Sequence, residues 1–133
     1  REYYRLSCAL EMNARSLQKE EIEAVEQNNN YLVPGLPLTR SIIVDISGGG
    51  IRFVSGQWIK QNQNILLVIR LTNEYSDETF YLPGQVIATE KHPAIEEMYI
   101  HRVKFLFRDL RDREKIVRFV FEEERRIRRK EVG

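Results

Sequence analysis

Apolar positions along this chain alternate in short runs and take up helical spacing only near its C-terminal end. Residues 5 to 12, RLSCALEM, alternate without glycine or proline and predict a first strand. From Ser41 a β-branched run, Ile42 to Val44, precedes three consecutive glycines, and Ile51 to Val54 resume the apolar pattern, which predicts strand, tight turn, strand. In ILLVIRLT (65 to 72), Ile65, Leu67, Ile69 and Leu71 face one way and Arg70 and Thr72 the other. Residues 80 to 90 predict a further strand, kinked or bulged at Pro83-Gly84. Residues 98 to 107 predict a sixth, with Val103, Phe105 and Phe107 opposed to Arg102 and Lys104. Six evenly spaced strands, nearly all antiparallel, predict an all-β fold, a six-stranded antiparallel β-barrel with a C-terminal helix.

Two segments depart from the strand pattern. Residues 13 to 40 hold the acidic run KEEIEAVEQ, three asparagines and the turn-forming VPGLPL, which predict a long, mobile insertion with one short helix. Its acidic residues Glu20, Glu21, Glu23 and Glu26, opposed only by Lys19, read as a solvated face. At the other end Asp109 can cap a helix running to about residue 130. Leu110, Ile116, Val117, Val120, Phe121 and Ile127 recur at helical spacing there. The cations of RRIRRK (125 to 130) complement the dipole at its C-terminus, so a solvated helix end accounts for them.

A length of 133 residues fits one domain. No apolar run approaches the roughly 18 residues a spanning helix needs, and no signal peptide is expected. With 21 basic and 20 acidic side chains the net charge is only +1, so bulk charge argues for neither a nucleic-acid nor an anionic-membrane partner. Any anion site must be local. Cys8, the single cysteine, excludes an intramolecular disulfide and any multi-cysteine metal site, reads as a small buried hydrophobe, and fits a cytoplasmic protein. The chain begins with Arg1 and not Met, which predicts that it is part of a longer protein.

Two patterns carry chemistry. Arg1-x-x-x-Arg5 directly precedes the first strand, but 15 arginines produce such spacings by chance. Asp45-Ile-Ser47-Gly-Gly-Gly50 is more informative, because a hairpin needs only about one glycine. An arginine fork matches the O6 and N7 acceptors of guanine, and equally two phosphate oxygens. The Asp45 carboxylate can accept from guanine's ring N–H and amine, and Ser47 can give or take one more bond. Gly49 and its neighbours let backbone amides approach a ring or phosphate. The sum suits an anionic guanine nucleotide. The alternative is that Asp45 and Ser47 only cap the turn, the glycines supply positive φ and Arg1 is a frayed terminus.

An R-x-x-x-R at the entrance to a six-stranded barrel, with D-x-S-x-x-G in the hairpin between its second and third strands, resembles the PilZ domain, the bacterial receptor for cyclic di-GMP. The resemblance covers nearly the whole chain and is to the flagellar-brake type. It implies that Arg1 and Arg5 clamp guanine edges and phosphates of the dinucleotide, while Asp45, Ser47, Gly49 and Gly50 hold the guanine on the barrel side. It further implies an N-terminal domain of the same chain and a protein partner such as a flagellar motor component or a polysaccharide synthase. The 39 residues between Arg5 and Asp45 make a longer first hairpin than the family pattern.

Other chemistry has little support. There is no phosphate-binding G-x-x-x-x-G-K-[ST], no G-x-G-x-x-G after a strand and no H-E-x-x-H, so no enzymatic activity is expected. His92 and His101 lack ligand-spaced partners and read as a loop and a strand histidine, with no metal expected. Trp58 and Tyr99 could stack on bases but read first as barrel core. Two rival readings stay open: a single-stranded nucleic-acid barrel, which the near-zero charge disfavours, and a ligand-free interaction module.

Overall fold

The computed structural model describes residues 4–107 and 109–132 of the chain. Its strands are β1 (Leu6–Ser16), β2 (Thr39–Ile46), β3 (Gly50–Ser55), β4 (Asn64–Thr72), β5 (Asp77–Lys91) and β6 (Tyr99–Phe105). Helix α1 (Lys19–Glu26) lies between β1 and β2, and α2 (Leu110–Val132) follows the barrel. All neighbouring strands are antiparallel, and the barrel closes in the order β1-β2-β3-β6-β5-β4. The expected six-stranded barrel with a C-terminal helix is the observed fold. Inward side chains such as Ile43, Phe53, Leu67, Ile69 and Val86 have no exposed surface, and burying each contributes on the order of 1.5 to 3 kcal/mol.

The expected first strand stops four residues too early, and the missing residues close the barrel. Met12 to Ser16 pair with β4, from Met12 opposite Ile69 to Ser16 opposite Ile65. Asn13 and Arg15 are weak strand formers, but Ala14 alternates with Met12 into the core, and tertiary pairing outweighs propensity. Residues 13 to 16 are therefore strand and not insertion.

Glu21 corrects the reading of the acidic run as a solvated face. Its carboxylate has no exposed surface and receives both terminal nitrogens of Arg15 at 2.8 and 2.7 Å. It also accepts the backbone N–H of Gln18, at the start of α1, and of Val33, beyond its end, each at 2.7 Å. The Arg15 guanidinium, aided by these two N–H groups and opposed by burial, holds the Glu21 carboxyl down at about 2. Asn28 (φ 62°) ends α1 in the left-handed region, with Asn29 N–H donating to the Ala24 carbonyl at 2.7 Å. Helix and following loop are thus tied to β1 by one buried ion pair.

Three further expectations shift. Pro83-Gly84 pair regularly with β4, and the irregularity of β5 falls later, at Ile87, where two residues oppose one on β6. Gly84 instead admits β6: a Cβ there would lie 2.7 Å from Val103 Cγ1. Trp58 is not core. It is 58% exposed and meets Tyr99 edge to face, with centroids 5.4 Å apart. On α2 the buried face is Ile116, Phe119 and Val120, whereas Leu110, Val117, Phe121 and Ile127 are exposed. The helix starts where expected, with Asp109 accepting the Arg111 N–H at 2.9 Å.

Candidate ligand-binding site

The β2–β3 hairpin closes on a two-residue loop, Gly48-Gly49, with the Ser47 N–H donating to the Gly50 carbonyl at 2.9 Å. That closure sets Ile46 opposite Ile51 and Asp45 opposite Arg52. In a straight strand Asp45 would share the inward face of Ile43. A bulge at Val44, where the register skips a residue, turns Asp45 outward beside Arg52 while Ile43 and Ile46 both stay buried. Arg52 Nε donates to Asp45 Oδ2 at 2.6 Å, and Arg5 Nη1 donates to Oδ1 at 3.0 Å. Asp45 is itself buried, so each oxygen is covered by a guanidinium.

A lateral row of paired residues carries the site around the barrel: Ser7, Asp45, Arg52, Arg102 and Ala88 stand successively opposite one another on five strands. The register shifts of β1, β2 and β5 all flank this row. Over it opens a pocket of about 300 Å3. Arg5, Asp45, Arg52, Arg102 and Glu90 line it with charged groups, and Ala88 and Ile100 add apolar side chains. Three guanidinium groups thus converge with two carboxylates on one concave patch, an arrangement suited to a planar, hydrogen-bonding anion.

The other expected site residues stand apart from this pocket. Ser47 is buried and its hydroxyl is engaged within the hairpin, accepting the Gly49 N–H at 3.1 Å and donating to the Gly50 carbonyl at 3.4 Å. The Gly49 carbonyl accepts the Phe105 N–H at 3.0 Å, which ties the hairpin tip to the end of β6. Gly50 is required by close approach, since a Cβ would sit 2.1 Å from the Val103 carbonyl oxygen, and not by positive φ, which among the described glycines belongs to Gly35. Arg1 lies outside the described residues. Arg52, Arg102 and Glu90 were missed from sequence. For Arg52 a signal existed, because a two-residue loop places position 52 opposite Asp45.

Other candidate groups are quiet. Cys8 packs against the core, and burial, reinforced by the Asp45 charge, pushes its thiol up to about 11, so it stays protonated. His92 Nδ1 accepts the N–H groups of Ala94 and Ile95 in its loop. His101 is fully buried and stacked on Phe53 at 4.6 Å. Burial lowers its pKa, with the nearby backbone of Gln57 and Phe53 acting weakly the other way, although neither ring nitrogen has a well-formed hydrogen bond.

The PilZ domain family model matches residues 1–122, nearly the whole chain. The chain belongs to the PilZ family. The PilZ fold here is similar to the Bacillus subtilis inhibitor of motility, MotI/DgrA, with a TM-score of 0.70 and 17% identity over 93% of this chain and 51% of that one. It is similar to the PilZ domain of Escherichia coli YcgR with c-di-GMP, with a TM-score of 0.67 and 14% identity over 100% of this chain and 98% of that one. A third likeness is to the K. pneumonia MrkH–c-di-GMP complex, with a TM-score of 0.62 and 19% identity over 98% of this chain and 55% of that one. At these identities the likeness is one of fold. The chain spans about half the length of MotI/DgrA and of MrkH. No curated protein matches its sequence. No helix among the described residues is long and apolar enough to cross a membrane.

Proposed function

We propose that this PilZ domain is a cytoplasmic, non-enzymatic receptor for cyclic di-GMP. The observation that carries the reading is Asp45 on the barrel wall, its two oxygens shared between Arg5 and Arg52 at the mouth of an open pocket. Guanidinium forks offer donors to guanine's O6 and N7 or to phosphate oxygens, and the remaining lone pairs of Asp45 accept guanine's N–H groups. In this account Arg1 joins Arg5 in the clamp, and Ser47, Gly49 and Gly50 serve the site by building the tight hairpin that carries Asp45 and Arg52 to it. Ligand binding gathers the arginine segment against the hairpin and changes the surface offered to a partner.

YcgR and MrkH are described with c-di-GMP and MotI/DgrA as an inhibitor of motility, which supports control of flagellar motility as the output, with exopolysaccharide synthesis as the second choice. A flagellar motor component or a polysaccharide synthase is the partner class, and an N-terminal domain of the same protein is the element that moves. Calorimetric titration with cyclic di-GMP, using single-stranded DNA as control, tests the reading: saturable heat with the dinucleotide alone supports it. Binding of DNA alone supports the nucleic-acid barrel, and binding of neither supports the ligand-free module.

A further inference from the structure

Arg52 and Arg102 stand directly opposite each other on β3 and β6, and both are exposed. Like charges in that position repel, so the pair is unfavourable unless an anion sits between them. Arg52 has one such anion, Asp45, but engages it through Nε. Its two terminal nitrogens have no hydrogen-bond partner among the described residues, and Arg102 has neither an ion pair nor a side-chain hydrogen bond there. Both line the same pocket as Ala88 and Ile100, whose side chains offer no hydrogen bond and can take the face of a purine. Glu90, the other carboxylate of the pocket, has no ion-pair partner among the described residues either.

The geometry points to Arg52 and Arg102 as a phosphate-binding fork on the barrel wall, separate from the arginine segment. Asp45 then has an earlier task than accepting from guanine: it aims two arginines, Arg5 from the segment before β1 and Arg52 from the hairpin, into one pocket. A cyclic dinucleotide carries two phosphates, so the segment can hold one while the fork holds the other. The inference rests on the cyclic di-GMP reading and adds residues that neither sequence motif contains.

The test is the affinity of the parent, Arg102→Gln, Arg102→Lys and Arg52→Gln for cyclic di-GMP, with the melting temperature of each free protein measured alongside. Removing one charged hydrogen-bonding group weakens binding by roughly tenfold or more. Arg102→Gln is expected to show that loss at an unchanged or raised melting temperature, because it relieves the repulsion. Arg102→Lys is expected to be intermediate, since it keeps the charge and loses the planar fork. Arg52→Gln is expected to lose more, because Asp45 is also released. If the parent binds and Arg52→Gln and Arg102→Gln bind equally well, the fork is wrong and the cyclic di-GMP reading survives. If the parent does not bind, both are overturned.

Discussion

Arg52 stands across the β2–β3 hairpin from Asp45 and donates its Nε to Oδ2 at 2.6 Å, so the carboxylate of the motif is held in place by a residue outside it. Both cations on Asp45 keep partial access to water, at 31% exposure for the Arg5 side chain and 46% for that of Arg52. Such pairs add little to stability. Asp45→Ala is therefore expected to leave the melting temperature within a few degrees of the parent while lowering cyclic di-GMP affinity roughly ten- to hundredfold. Calorimetry and thermal melting of the same sample check both halves.

Gly50 makes the opposite prediction. A methyl group at position 50 meets the Val103 carbonyl oxygen, which belongs to the β3–β6 ladder and cannot turn aside as a side chain would. Gly50→Ala is expected to destabilise the free protein by about 1 to 3 kcal/mol, or more if the ladder opens, as overpacked cores do. At roughly 4 °C per kcal/mol the melting temperature falls by about 4 to 12 °C. An unchanged melting temperature contradicts the close packing of hairpin and β6.

His101 sets a pH dependence near neutrality. Burial depresses its folded pKa below the ordinary 6.5, so the unfolded chain binds the proton first as pH falls. Its neutral state contributes fully above about pH 6.5, and that contribution is lost as pH drops from there through the folded pKa. Denaturant unfolding of the parent is expected to show stability falling below pH 6.5. His101→Phe, which keeps a ring against Phe53, is expected to flatten that part of the curve. Parallel curves for the two proteins between pH 6.5 and 5 rule out this assignment.

Glu21 acts in a lower window. With its carboxyl held at about 2 against an ordinary 4.5, its stabilisation is complete above about pH 4.5 and lost as pH falls towards 2. Glu21→Ala at neutral pH leaves Arg15 and the N–H groups of Gln18 and Val33 without their acceptor. The expected cost is roughly 3 kcal/mol, the low end for a broken buried pair, because the pair lies just beneath a surface loop. Replacing Arg15 and Glu21 together by Met and Leu is expected to recover the part due to the unpaired Arg15 but not the part due to the Gln18 and Val33 N–H groups. A Glu21→Ala variant as stable as the parent in urea shows that the pair carries no such energy.

Five of the strands were legible nearly to their ends because apolar residues alternate with polar ones on walls that face the core on one side only. What escaped did so for identifiable reasons. Asn13 to Ser16 read as loop because their strand character comes from pairing with β4. Glu21 read as surface because its partner, Arg15, lay in the segment misread as insertion. On α2 helical spacing alone could not say which stripe faces the barrel, and Phe119 was passed over for Val117 and Phe121. At the site, Asp45 shares the parity of Ile43 on a straight strand, and only the bulge at Val44 brings it out beside Arg52. Arg102 was unreadable, because its place opposite Arg52 depends on β3 pairing with a strand more than 40 residues away.

The most direct test of the central claim, that cyclic di-GMP binds on the wall built around Asp45, is amide chemical-shift mapping during titration of the isotopically labelled protein. The account predicts saturable shifts at Arg5, along Asp45 to Arg52, and at Ala88, Glu90, Ile100 and Arg102, with α1 and the Trp58–Tyr99 end of the barrel unmoved. A titration that shifts no amides, or shifts only amides of α1 or the 92–98 loop, contradicts it.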